Sequence, residues 1–350
     1  MSHIKRSFND NMDKFINEYC NTNNIYGSLR VTVKDEVIYE KFIGWADYEN
    51  KTAFTKNSLF TMYSLSKPFC AIGLLKLKDK KLIDIDNHPR VYLPEATGFD
   101  KSLKIRHLLN HTSGIPDFSN NTDFPQKYSG ETAHQIREKL VPLSKMDVLF
   151  KPGERVEYAN INYIICALII ENVSGIAYAE YMQKEVFEPM GMHNTCIDNK
   201  HLVLNNRVKG HCIQNNNIVS INRVTEWILG GADVVSTVDD VYCLNKAIKH
   251  KSILKPDTWD EVLTASPDSV FGFGCAVTLW HGKKRIQHNG GWDGFRTIHI
   301  QLPEDDFDII FLSNCDWRDA RYDVAEAVYN AYYGADSEIS QSVKMDAGYI

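Results

Sequence analysis

The sequence predicts an α+β fold. One antiparallel sheet is assembled from both ends of the chain and flanked by helices, with a mainly helical segment inserted between them. Two observations predict it. Alternating, β-rich runs occur near the start and again in the last third, while the middle carries helical periodicity and polar loops. The composition, 43% hydrophobic and 24% charged over 350 residues, is that of a globular chain with enough apolar side chains for a sizeable core. This reading divides the chain into a sheet lobe (1–60 and 250–335), a helical lobe (61–249) and a tail (336–350).

Taken in order, residues 5–21 read as an amphipathic helix, with Phe8, Met12, Phe15 and Ile16 on one face. Two alternating runs then flank Lys34-Asp35-Glu36, a hairpin signal. From Ser58 to about Lys80 the pattern turns helical, after the strand-like Leu59–Tyr63. The middle contains three helical stretches, 131–140, 162–175 and 237–250. The last third reads as a meander of four strands, with turns at Gly282-Lys283-Lys284 and Glu304-Asp305-Asp306, and then a helix over Asp319–Tyr332.

Several function classes drop out. The net charge of −6 gives no basic face for nucleic acid. The longest apolar run, Tyr163–Ile170, is far short of the roughly 20 residues that a spanning helix needs. No apolar core follows Lys5 and Arg6, so no signal peptide is expected and the expected location is cytoplasmic. The eight cysteines form no CxxC pair and read as isolated thiols, with a cysteine nucleophile as the lesser alternative. GxSxG, GxxxxGK[ST], HExxH and GxGxxG are all absent, and neither a metal nor an organic cofactor is expected.

Three Ser-x-x-Lys matches remain: Ser2/Lys5, Ser64/Lys67 and Ser252/Lys255. Only the second opens a long apolar helix. Residues three apart share a helix face, so Lys67 can sit beside the Ser64 hydroxyl and serve as its base if its pKa is lowered. A first-turn N–H is also free to meet an oxyanion. Tyr158-Ala159-Asn160 follows the tight turn Phe150-Lys151-Pro152-Gly153-Glu154; a phenol can carry a proton and an asparagine can orient a lysine. His288-Asn289-Gly290-Gly291 ends a strand, and its glycines permit a substrate to approach the backbone closely. Taken singly, each motif also reads blandly, as a helix cap, a packed loop tyrosine and a glycine-rich turn.

In this order the three motifs resemble those of the serine β-lactamase and penicillin-binding protein superfamily, closest to its branch of class C β-lactamases, DD-peptidases and family VIII esterases. The resemblance covers about residues 20–330. It includes Leu108–Pro116 (LLNHTSGIP), Phe150–Gly153 before Tyr158, Glu188–Met192 (EPMGM) and Gly230–Asp240 (GGADVVSTVDD). It implies that fold, a Ser64 nucleophile, Lys67 as base or proton relay, and Tyr158 as second proton carrier. Asn160, His288, Asn289, Gly290 and Gly291 would bind substrate, with the N–H groups of Ser64 and Gly291 as oxyanion hole. The implied activity is hydrolysis of a carboxylic ester or amide in a small molecule or short peptide: an esterase, a D-amino-acid peptidase or DD-peptidase, or a weak β-lactamase. The alternative is a non-catalytic penicillin- or peptide-binding protein on the same scaffold. His288 stands where the family often has a lysine, which argues against strong β-lactamase activity, and Arg296 is a candidate for the missing charge.

Overall fold

The computed structural model describes residues 2–117, 147–199, 201–221, 228–266, 269–317 and 319–334. The expected helix over 131–140 and the tail lie outside the described residues.

The chain opens with helix α1 (Ser2–Phe15), extended by a wide turn over Ile16–Asn21. Strands β1 (Gly27–Val33) and β2 (Glu36–Ile43) follow as a hairpin. Its two-residue turn is Lys34-Asp35, both with positive φ (50° and 64°), the twist that two-residue hairpins prefer. The last third supplies β10 (Ala276–Trp280), β11 (Lys283–Trp292), β12 (Phe295–Leu302) and β13 (Phe307–Ser313). The first of these turns is His281-Gly282, one residue earlier than expected, because those two positions take positive φ (48° and 77°). The six strands form one antiparallel sheet in the order β10-β11-β12-β13-β1-β2. The amino-terminal hairpin thus joins the carboxy-terminal meander through the β1–β13 pair, with Leu29 opposite Phe311 and Thr32 opposite Asp308.

The two faces of this sheet differ. One presents Leu29, Val31, Ile298, Ile300, Ile309 and Phe311, and is covered by Phe8 and Met12 of α1 and Val324 and Val328 of helix α8 (Arg321–Tyr333). Burying each such side chain contributes about 1.5–3 kcal/mol. The other face presents Ser28, Arg30, Thr32, Thr297, His299, Gln301 and Asp308, all buried except the partly exposed Arg30. Strict alternation along GSLRVTV puts these polar residues on one side.

The central segment packs against that polar face. Strands β3 (Trp45–Asp47), β4 (Thr52–Ala53) and β5 (Phe60–Thr61) precede a 3₁₀ turn over Tyr63–Ser66 and helix α2 (Lys67–Asp79). The helix therefore starts at Lys67 rather than Ser58. Tyr63 has a left-handed φ of 48°, which no α-helix continues through, and Pro68 suits a helical first turn. Helix α3 (Ile105–Leu109) and helix α4 (Asn160–Ser174) come next. Residues 160–170 of α4 are buried all round, as an uninterrupted apolar helix must be. After α5 (Tyr178–Met182), β6 (Cys196–Ile197), β7 (Gly210–Gln214) and β8 (Asn217–Ile221), strand β9 (Val234–Ser236) pairs with both β5 and β6. Helix α6 (Val238–Lys249), capped by the Thr237 hydroxyl accepting from Asp240 N–H at 3.2 Å, crosses the polar face, and α7 (Pro256–Val262) leads back to the sheet.

Candidate active site

Strand β9 grips the Tyr63–Ser66 turn at both ends. Met62 N–H donates to Val234 O at 2.9 Å, and Val234 N–H donates to Ser66 Oγ at 3.0 Å. Strand β11 closes the other side: a Cβ on Gly290 would stand 1.9 Å from Met62 O, so no side chain fits there. Thr297 Oγ1 donates to the same Met62 oxygen at 3.0 Å. Within this frame Ser64 alone of residues 61–70 is not fully buried. Ser64 is partly exposed, on a turn that begins on the strained Tyr63. Ser64 thus sits one turn before the α-helix rather than in its first turn.

Lys67 is fully buried behind it. Its Nζ lies 3.1 Å from Ser64 Oγ, 2.8 Å from Asn160 Oδ1 and 2.9 Å from Gly231 O. The last two are pure acceptors. A neutral amine has two hydrogens and one lone pair, so giving the hydrogens to Asn160 and Gly231 leaves the lone pair for the serine hydroxyl. Burial pulls the Lys67 pKa from 10.5 down to about 7, against the opposing pull of Asp117 and Asp233. Asn160 is itself fixed: its Nδ2 donates to Asp117 Oδ2 at 3.0 Å, and the other Asp117 oxygen accepts from Ile161 N–H at 3.3 Å, capping α4. Gly231 is presented by a sharp bend at Gly230 (φ 72°), where a Cβ would meet Cys70 Sγ and Tyr163 O, each at 2.8 Å.

Tyr158 stands over the same lysine, with Lys67 Nζ 4.8 Å from its ring centre. Its hydroxyl is buried and makes no hydrogen bond of normal geometry among the described residues. Burial raises its pKa, while the neighbouring Ser64 favours the ionised form. His288 is buried on the polar face, its ring centre 6.5 Å from that of Tyr158. Its Nδ1 is 2.7 Å from Asn289 O, which can only accept, so Nδ1 carries the proton and Nε2 presents a lone pair. That Nε2 is buried and has no hydrogen-bond partner among the described residues. Burial, then the nearby Lys67, holds the imidazole well below its usual pKa, and His288 is neutral.

The remaining candidates divide. Gly290 and Gly291 lie alongside the Ser64 turn, whereas the Asn289 side chain faces away and donates to the Tyr322 hydroxyl on α8 at 2.5 Å. Asn289 can therefore meet a substrate only through its backbone. Arg296 does not supply the missing charge. It pairs with Gly291 on the opposite face from Gly290, and its Nη1 donates to Phe295 O at 2.7 Å and Trp292 O at 3.2 Å. The cysteines recede as nucleophiles: Cys20, Cys70, Cys166, Cys275 and Cys315 are buried, and burial pushes the thiols of Cys20 and Cys275 up to about 12. Four groups were missed from sequence: Asp117, Asp233, the Gly231 carbonyl and His111. The stretches LLNHTSGIP and GGADVVSTVDD carried three of them, but spacing alone gave no reason to single them out.

The β-lactamase family model matches residues 13–331. The chain belongs to the β-lactamase family. Among curated proteins, it is 28% identical over 324 residues to penicillin-binding protein 4* of Bacillus subtilis (strain 168), an alignment covering 85% of this chain and 70% of that protein. It is 22% identical to protein flp of Staphylococcus aureus (strain N315), covering 87% of this chain; the chain spans 62% of that longer protein. Among solved structures, the octameric penicillin-binding protein homologue from Pyrococcus abyssi superposes with a TM-score of 0.85 at 21% identity, covering 96% of this chain and 80% of that one. The D-amino acid amidase from Ochrobactrum anthropi SV3 superposes with a TM-score of 0.78 at 21% identity, covering 94% and 99%. At these identities the superpositions speak for the β-lactamase/penicillin-binding protein fold.

Proposed function

We propose that this β-lactamase-family protein is a serine hydrolase that cleaves a carboxylic ester or amide through an acyl-enzyme on Ser64. The observation that carries the reading is the buried Lys67 amine, its pKa lowered to about 7, with Nζ 3.1 Å from the Ser64 hydroxyl. Lys67 takes the proton as Oγ attacks the carbonyl carbon. The N–H groups of Ser64 and Gly291 hold the oxyanion that forms. The C–O or C–N bond then breaks, and the leaving alcohol or amine receives a proton through Tyr158. Water attacks the acyl ester, its proton returns through Tyr158 and Lys67, and Ser64 is freed.

His288 bears on the choice of substrate. A neutral imidazole whose Nε2 lone pair has no partner among the described residues can accept a substrate N–H or O–H that reaches it; it offers no positive charge to a carboxylate. This favours esters and D-amino-acid amides or peptides over β-lactams, whose carboxylate needs a cation. The fold shared with a D-amino acid amidase fits this choice.

Intact-mass spectrometry after incubation with a fluorophosphonate tests the nucleophile. We expect one adduct, absent in Ser64→Ala, and turnover of a p-nitrophenyl ester lowered by about 10⁴–10⁶-fold in that variant. Unchanged turnover in Ser64→Ala sinks the assignment. Substrate class is read from a panel of nitrocefin, a p-nitrophenyl ester and a D-alanyl amide, with nitrocefin expected to be the poorest.

A further inference from the structure

His111 is not part of the proton path just described, yet it is built into the site from two directions. It is buried, at 1% exposure, and its backbone is left-handed with φ 60°, a conformation that few non-glycine residues adopt. Its carbonyl accepts from Glu157 N–H at 2.9 Å. Its ring nitrogen Nδ1 lies 3.3 Å from Ala159 N–H, so the residues on either side of Tyr158 are both bound to this one histidine. The His111 ring then stacks on the Tyr158 ring, with centres 4.3 Å apart and planes 28° apart. Phe271 meets the same histidine edge-on at 5.0 Å, and Tyr163 meets it tilted at 5.3 Å.

The hydrogen bonds also fix its tautomer. Asn162 Nδ2 is 3.3 Å from Nδ1 as well. In this arrangement Ser113 Oγ donates to Asn162 Oδ1 at 2.7 Å and accepts from Ile115 N–H at 3.2 Å, while the Ala159 backbone N–H, which can only donate, by itself makes Nδ1 an acceptor. Two N–H donors therefore converge on Nδ1, which carries no hydrogen, and the proton sits on Nε2. Burial opposes a second proton, and so do the nearby Lys67 from α2 and His288 from β11.

We infer that His111 is a positioning residue, a neutral Nδ1 acceptor that holds the Glu157–Ala159 backbone and so sets where the Tyr158 phenol stands relative to Ser64. The inference rests on the acyl-transfer reading of the site. It gives a physical role to a residue of the LLNHTSGIP stretch that touches neither nucleophile nor base. Placement matters because an error of about 1 Å in a reacting group can cost about 10²-fold in rate.

Two measurements test it. The first is the ¹⁵N spectrum of the histidines between pH 5.5 and 9, with His111 assigned by its absence from His111→Asn. The Nε2–H tautomer should persist without titrating; an Nδ1–H tautomer, or titration in this range, overturns the inference. This readout does not depend on turnover. If no acylating probe modifies the wild type, the acyl-transfer reading fails while the tautomer still reports on the histidine. The second is a double-mutant cycle on p-nitrophenyl ester turnover. His111→Ala is expected to lower kcat by about 10²-fold with KM changed less than about twofold. His111→Asn should restore most of the loss, because asparagine tolerates the left-handed backbone and its Oδ1 can accept from Ala159 N–H. In a Tyr158→Phe background both changes should move kcat less than about threefold. An equal loss in both backgrounds, or a failure of asparagine to rescue a folded protein, overturns the role.

Discussion

The Ser64 cluster and the polar layer beneath α6 occupy one face of the same sheet, and both bury ionisable groups. Around Ser64 the buried lysine is fully engaged, although Tyr158 Oη and His288 Nε2 make no hydrogen bond of normal geometry among the described residues. Lys67 has three partners, Asn160 is pinned by Asp117, and all of them converge on the partly exposed Ser64. Beneath α6, His299 Nδ1 meets Asn245 Oδ1 at 3.0 Å, and Gln301 Nε2 donates to Asn245 O at 3.0 Å. Yet Thr32 Oγ1, Asp308 Oδ1, Gln301 Oε1, Asn245 Nδ2 and His299 Nε2 are buried with no hydrogen bond of normal geometry among the described residues, although Gln301 and Asn245 lie close enough to the Asp308 carboxyl to favour its ionised form. Burial raises the Asp308 pKa to about 7 and lowers that of His299 to about 3. Perturbed pKa values therefore mark both regions. Only one of them also carries a partly exposed serine hydroxyl, and that is what separates the proposed reaction site from a buried polar layer.

The substitution that breaks this contrast hardest is Lys67→Met, which keeps the length of the side chain and removes its lone pair. Turnover of an activated ester should fall by about 10²–10⁴-fold, the usual worth of a positioned base. The pH profile sharpens the test. The base form of Lys67 exists above its pKa, so kcat/KM of the wild type should rise with pH through about 7 and then level. A wild-type profile flat from pH 6 to 8 would remove Lys67 from the role of base.

Next in size is Gly290→Ala. The new methyl would stand 1.9 Å from the Met62 carbonyl, so β11 or the nucleophile turn must move. Overpacking of this kind costs about 1–3 kcal/mol. A larger share should appear in activity, at about 10²-fold, because Ser64 and the Gly291 N–H move apart. A crystal structure of the variant with Ser64 unmoved and wild-type kcat/KM would show that the close contact has no bearing on catalysis.

Much of this was legible in the chain because the cues were local. The alternation in GSLRVTV announced one apolar and one polar sheet face, and the apolar run through Tyr163–Ile170 announced a buried helix. Ser64 and Lys67 are three residues apart, so any helical turn brings them together. The long-range contacts were not legible. Asp117 reaches Asn160 across 43 residues and Gly231 reaches Lys67 across 164, and no periodicity encodes such pairings. Helix α6 was read as part of the helical lobe, yet it packs on β1 and β13, because an amphipathic pattern states that a face is buried but not against what. The start of α2 was placed too early because the left-handed Tyr63 is held by its surroundings rather than by its own preference.

The smallest effect, and the one that tests the polar layer on its own terms, is Asp308→Asn. The folded-state pKa of Asp308 is raised from 3.8 to about 7, mainly by burial. Between those values the folded state binds more protons than the unfolded chain, so this group makes stability fall as pH rises from about 4 to 7 and leaves it low above 7. Asparagine has nearly the same shape and no charge to bury. The variant should therefore be more stable than wild type at pH 8 by about 2–4 kcal/mol, with the advantage shrinking towards pH 4.5. Urea denaturation at the two pH values measures the difference. Ester turnover should stay within about twofold, because Asp308 lies two strands from β11 and its buried side chain faces α6. A stability difference independent of pH would mean that the Asp308 carboxyl is solvated in the folded protein, and the contrast between a partly exposed site and a buried polar layer would fail.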